Sequence, residues 1–253
     1  MARAYPRISP VQARWTIIVV FIAILEAITR TGLVRKSILI PPTEMARTLI
    51  ILVLSGEVTA HFARTMIEIF VSFTIAAVLG MAVGMIFWRF SRVGKMFEPY
   101  IISLYALPMV MFYPILLIFL GLGSLPVIFI TVMASTIPII LNTTIGFAEI
   151  REVLYKVARS NNCTRWQTFS KVMFPAATPF VFTGLKQGFV YALIVTVAME
   201  FVLTDLGLGF QVHQAYQFFK TTPMYAYILL NLLIAVVANY LLFRCEEHIR
   251  REV

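Results

Sequence analysis

Few residues of this 253-residue chain have the types and spacing that chemistry needs. His61, His213 and His248 are scattered, and Cys163 and Cys245 stand far apart outside any C-x-x-C pair, so local spacing builds no metal site. The two thiols read as inert groups facing a reducing compartment. No H-E-x-x-H, G-x-S-x-G or paired-carboxylate motif occurs, which leaves little support for an intramembrane enzyme. No G-x-x-x-x-G-K-[ST] occurs either, so ATP is not expected to bind to this chain. What remains are polar groups embedded in apolar runs: Glu68, Asn142 and Glu200. Ionisable groups at membrane depth are costly to keep, and they point to a solute or ion path, or to a pairing with a basic neighbour. An ion-gradient-driven secondary transporter would use Glu68 and Glu200 in this way.

The other polar interruption is KVARSNNCTRWQTFSKVMFPAATP, residues 156–179. It reads as two short helices joined by a turn. The first, 149–160, places Ile150, Val153, Leu154 and Val157 on one face at helical spacing. Asn161-Asn162 ends it, because asparagine tolerates the left-handed backbone that a helix C-terminus often needs. Thr164 with Gln167 three residues on has the form of a capping box for the second helix. Trp166, Phe169 and Met173 follow on one side, and Pro175 is expected to mark the exit. Such a hairpin is either a docking surface for another protein or an ordinary amphipathic loop.

The elements that must position these groups are set by composition. With 60% hydrophobic and 13% charged residues, and a mean hydropathy of +0.88, the chain lacks the charge a soluble surface of this size requires. The net charge of +9 forms no continuous basic stripe with interleaved aromatics, which argues against nucleic acid. An all-α, polytopic membrane protein of one domain, 1–253, is the expected class. A span takes about 20 apolar residues, and six windows qualify: 15–33, 66–88, 100–122, 125–147, 184–203 and 224–243. The basic leader (Arg3, Arg7, Arg14) and the apolar run 15–27 lack a small-x-small cleavage site, so an uncleaved first span is expected, with Glu26 and Arg30 paired at its outer end. The stretch 43–54 is too short to cross and reads as a surface helix. Pro108, Pro114 and Pro138 fall inside predicted spans, as breaks along a path or as packing kinks. Gly80 and Gly84 form a G-x-x-x-G that permits close helix approach.

Lysine and arginine bias sets orientation. With the N-terminus inside, the inner segments carry Arg3, Arg7, Arg14, Arg89, Arg92, Lys95, Arg151, Lys156, Arg159, Arg165, Lys171, Arg244, Arg250 and Arg251. The outer ones carry Arg30, Arg35, Lys36, Arg47, Arg64 and Lys220, and Lys186 can snorkel inward. Both termini and 149–178 are therefore expected in the cytoplasm.

At this point the residues resemble a known family. The segment 156–175 is similar to the cytoplasmic signature of bacterial ABC importer permeases: E-A-A, three residues, G, nine residues, I-x-L-P. Here the slots hold Lys156-Val157-Ala158, Asn162 and Val172-Met173-Phe174-Pro175, so the spacing is intact while the acidic residue and the glycine are replaced. The wider chain resembles the sulfonate, taurine, nitrate and bicarbonate branch. LEAITRTGLV, LIPPTEM, LPMVMFYPILLIFLGLG, PIILNTTIGF, TGLKQG and AMEFVLTDLGLG carry that resemblance. Against the branch, Glu68 stands where an arginine is usual, Val127 where a lysine is usual, and Ala106 and Met109 replace prolines.

The resemblance implies a type I ABC importer permease fold with a cytoplasmic coupling-helix hairpin. It implies two permease subunits, identical or not, two ATPase subunits that hold ATP and Mg, and an extracytoplasmic binding protein, in a bacterial cytoplasmic (inner) membrane. It assigns ATPase coupling to Lys156, Val157, Ala158, Asn162, Thr164, Arg165, Trp166, Gln167 and Pro175. It offers Pro108, Met109, Met111, Tyr113, Asn142 and Glu200 as path residues, with an internal structural or gating role for Glu200. Members of the branch carry small oxyanions, sulfonates, vitamin precursors and aromatic acids. Lys156 reverses the charge at the acidic slot, which a complementary acidic ATPase residue or a second, non-identical permease would explain.

Overall fold

The computed structural model describes residues 9–35 and 37–252, with the side chains of 10, 11, 203 and 248–252 left aside. Arg3, Arg7 and Lys36, and the side chains of His248, Arg250 and Arg251, lie outside the described residues. The chain forms two compact units, Met1–Val58 with Gln211–Leu230 and Thr59–Phe210 with Asn231–Val253. Among the described residues every regular element is helical. Among the described residues five helices are long and apolar enough to cross a membrane, or six if one bent pair is a single span.

In the first unit, α1 (Pro10–Arg30) starts at a capping box made by Ser9 and Gln12. At its other end Arg30 Nε meets Glu26 Oε1 at 2.6 Å, the expected ion pair. Glu26 also accepts from the Thr43 amide at 3.1 Å and the Thr43 hydroxyl at 2.6 Å, and so caps α2 (Pro42–Leu54) with a negative charge. The Tyr225 hydroxyl donates to the Ile38 carbonyl at 2.7 Å.

In the second unit, α3 (Thr59–Arg89) is followed by α4 (Ser91–Ala106), a 3₁₀ turn (Met109–Phe112) and α5 (Tyr113–Leu120). The window 100–122 is therefore not one straight span: its two arms meet at 89°. Proline disfavours helical geometry in the residue before it, and Leu107 is extended (φ −79°, ψ 135°) immediately ahead of Pro108. Pro114 breaks nothing, since it lies in the first turn of α5, where no amide donor is needed. Pro138 breaks nothing either: α6 (Ser124–Ala148) runs through it.

The core of this unit is α6, flanked by α3 and by α9 (Phe174–Leu203). Close approach is bought with glycine. A methyl at Gly84 would lie 2.7 Å from Thr143 Cβ and 2.9 Å from the Ile140 carbonyl, so the G-x-x-x-G of α3 is a helix-packing face. Gly184 and Gly188 of α9 repeat the device against Asn142 and Ile139, at a spacing the sequence reading passed over. Between α6 and α9 lie α7 (Glu152–Ser160), α8 (Arg165–Thr168) and a π turn (Phe169–Met173). After α9 come α10 (Leu208–Gln217) and α11 (Thr221–Glu252). Lys186 does not snorkel freely: its ammonium meets Glu246 of α11 at 2.7 Å.

Candidate functional site

The hairpin of α7 and α8 is built as a rigid turn. Asn162 adopts φ +50°. The Asn162 amide donates to the Arg159 carbonyl at 3.1 Å and the Cys163 amide to the Ala158 carbonyl at 3.0 Å. Those two bonds are a Schellman closure, which satisfies carbonyls a helix end leaves open. Asn161 Nδ2 adds a third bond, to the Val157 carbonyl at 2.9 Å. One residue later the capping box forms as expected: the Gln167 amide donates to Thr164 Oγ1 at 3.2 Å and the Thr164 amide to Gln167 Oε1 at 2.9 Å.

The first helix differs from the sequence expectation. It begins at Glu152 rather than 149, and its predicted apolar face is split. Ile150 and Tyr155 pack inward and Ala158 is buried, while Val153 and Val157 stand exposed. Pro175 is not an exit. The backbone stays helical through the π turn into α9, and Pro175 follows that turn as the second residue of α9.

A column of aromatic rings ties the hairpin to the spans. Trp166 lies 6.0 Å from Phe169, Phe169 is stacked 6.0 Å from Phe147 of α6, and Phe147 lies 5.1 Å from Trp88 of α3. Trp166 itself is 73% exposed at the tip. The tip is thus in continuous ring contact with two spans. Lys156 and Arg165 are exposed, and Lys156 Nζ lies 3.3 Å from Glu152 Oε1 on the same helix face. Burial raises the Tyr155 phenol above its ordinary value.

The path candidates are not gathered in one place. Pro108 and Met109 line a cavity of about 280 Å³ with Tyr105, Ala134, Tyr191 and Val195. Met109 is buried with Val127 and Ile130, Tyr113 packs on that cluster, and Met111 is 71% exposed. Asn142 donates to the Pro138 carbonyl at 2.8 Å and to Gln187 Oε1 at 3.1 Å.

Glu200 is fully buried and held by two donors. Thr65 of α3 donates to its Oε1 at 2.6 Å, and the Gly209 amide donates to its Oε2 at 2.9 Å. The Leu208 amide donates to Thr65 Oγ1 at 2.9 Å and the Gly207 amide to His61 Nδ1 at 3.2 Å. The Glu200 carboxyl therefore accepts a hydrogen bond at the N-terminus of α10, where a helix leaves amides without intrahelical partners. Glu68, also fully buried, takes Arg64 Nε on Oε1 at 2.6 Å and accepts from Ser124 Oγ. Its charge is paired rather than bare. Thr65 was not singled out as a partner of Glu200 because sequence distance hides it; the spacing of Arg64 and Glu68, four apart, could have revealed their pair.

A bundle of long apolar helices with a bend at a proline and a closed helical hairpin between two of them fits a multi-pass membrane protein. Residues 76–251 match the family of binding-protein-dependent transport system inner membrane components, and the chain belongs to that family. It is the permease component of an ABC importer, and the family match does not favour the ion-gradient alternative. Among relatives, it is 26% identical over 211 residues to the putative aliphatic sulfonates transport permease of Bacillus subtilis, covering 83% of this chain and 76% of the relative. It is 31% identical over 146 residues to the nitrate import permease of Synechocystis, covering 58% of this chain and 53% of the relative. It is 28% identical over 176 residues to the taurine transport permease of Escherichia coli, covering 69% and 64%. These relatives are transport permeases rather than enzymes. The fold matches the inward-facing MetNI methionine ABC transporter with a TM-score of 0.66 at 17% identity, over 76% of this chain and 95% of that one. An amino acid ABC transporter crystallised with histidines matches at 0.61 and 15%, over 79% and 97%.

Proposed function

We propose that this chain, acting as one transmembrane domain, pairs with a second permease subunit and forms the path for a small solute delivered by an extracytoplasmic binding protein. Separate ATPase subunits hold ATP and Mg and hydrolyse the nucleotide. Their closure pushes the α7–α8 hairpin, and the spans rock between inward- and outward-facing states. The observation that carries this reading is the Trp166–Phe169–Phe147–Trp88 column, which joins a rigid tip to α6 and α3. Of the path candidates, Pro108 and Met109, which line a cavity beside the bend, are the ones this reading favours, and the bond from the Gly209 amide supports a structural role for Glu200. Aliphatic sulfonates, nitrate and taurine, the solutes in the relatives' names, are the first to test on the cognate binding protein.

The membrane is the bacterial cytoplasmic one, with both termini and the hairpin inside. Cys163 lies in the hairpin turn and Cys245 near the end of α11. In a Cys245→Ser background, an impermeant maleimide added to intact cells is expected to leave Cys163 unlabelled and to label it after permeabilisation. Labelling from outside would reverse the orientation and remove the hairpin from any cytoplasmic ATPase.

A further inference from the structure

The hairpin carries a groove whose charge is opposite to what its signature slot would normally present. The groove holds about 520 Å³, and Lys156, Arg159 and Arg165 surround it, with Tyr155 on its wall and Met173 among its lining. One carboxylate, Glu152, lies on its rim. The Glu152–Lys156 contact is at 3.3 Å with side chains 81% and 70% exposed, a geometry that contributes little and leaves the ammonium free to exchange partners. Among the described residues neither Arg159 nor Arg165 forms an ion pair. The groove therefore has two cations in excess of its own carboxylate. Exposed Val153, Val157 and Trp166 stand on the same hairpin, so charge and apolar surface are presented together. Tryptophan and arginine around an apolar patch are the composition of a protein-binding surface, not of a site for a free ion.

We propose that this groove receives an acidic patch of the ATPase subunit, so that the polarity of the coupling contact in this importer runs from cations on the permease to carboxylates on the ATPase. The inference rests on the importer reading above and adds the chemistry of the partner. Opposed charges of this kind steer docking and fix its register, and they weaken as salt screens them. The apolar residues beside the groove keep the contact from being purely ionic, and the aromatic column carries the load inward.

The test uses the whole permease with its own ATPase in nanodiscs, reading how much ATPase stays bound to tagged permease. In the wild type, retention is expected to fall as ionic strength rises from about 0.1 M to about 1 M, which shortens the Debye length from about 10 Å to about 3 Å. A Lys156→Glu/Arg159→Glu double variant is expected to lower retention at about 0.1 M salt by about tenfold or more. Lys156→Gln/Arg159→Gln is expected to fall between. Both side chains point to solvent, so all three proteins are expected to melt alike, and the glutamine pair keeps the test interpretable if the glutamate pair does not. Equal retention by wild type and both variants, with no salt dependence, overturns the acidic patch while leaving the importer reading intact. Loss of transport at full retention also overturns it, and assigns the cations to anionic headgroups. Wild-type permease that holds no ATPase at all overturns the importer reading, and this inference with it.

Discussion

Gly209→Ala is expected to detach the first turn of α10 and to lower the thermal unfolding temperature of the purified permease by several degrees. A methyl there would fall inside contact distance of the Val197 carbonyl oxygen and lie 2.8 Å from both Glu200 Cβ and the Phe201 amide. Two of those three atoms are backbone of α9, which cannot step aside as a side-chain end can. Relief must come from α10, and moving it breaks the Gly209 amide to Glu200 bond at 2.9 Å. The neighbouring Leu208 to Thr65 bond, also 2.9 Å, is strained with it. Overpacking costs about 1–3 kcal/mol, and a buried acceptor that loses its donor costs about 1–3 kcal/mol more. Gly32→Ala is the control: Gly32 has φ +76° but nothing within 4 Å, so it carries only the left-handed backbone penalty of about 1–2 kcal/mol. Tryptophan fluorescence melting of the two variants beside the wild type measures the difference. An unchanged melting temperature for Gly209→Ala would mean that Glu200 does not hold α10 in this way.

Asn162→Val is expected to uncouple ATP hydrolysis from transport while leaving the spans folded. The turn depends on φ +50° at this position, which sets up the Ala158 to Cys163 and Arg159 to Asn162 bonds. A β-branched residue resists the left-handed region, at about 1–2 kcal/mol. A loosened turn absorbs displacement before it reaches Trp166 and Phe169. Solute moved per ATP hydrolysed is expected to fall by about tenfold, equivalent to about 1.4 kcal/mol of lost coupling. Asn162→Gly, which accepts the same backbone, is expected to stay near wild type. If the valine variant assembles and transports at the normal ratio, the hairpin is not the coupling element.

What the sequence disclosed, and what it hid, follows from the range of each interaction. The long helices were legible because a span needs a continuous apolar run, and the hairpin because Asn161-Asn162 and the Thr164/Gln167 box are local signals. The bend at Leu107 was legible as a break but not as an angle, since proline forbids a helix without saying where the chain goes next. Of the two readings open for Pro138, a path break or a packing kink, the break is absent, since α6 runs through it. Pro175 misled because a π turn, which lets the helix continue past it, has no residue signature of its own. The Glu200 cluster was closed to sequence reasoning for a different reason. Thr65 and Glu200 are 135 residues apart, and only the α3–α9 packing brings them together. Glu68 meets the basic neighbour the sequence allowed for, with Arg64 one turn away on one carboxylate oxygen, while its other oxygen is buried with no hydrogen-bond partner among the described residues.

The most direct measurement is solute uptake into proteoliposomes holding this permease, its ATPase subunits and ATP inside, with loaded binding protein outside. Uptake is expected to require hydrolysable ATP and the binding protein, and to continue when ionophores collapse every ion gradient. Uptake that persists without ATP and stops when the gradients are dissipated would contradict the account, and would return Glu68 and Glu200 to the role of coupling-ion ligands.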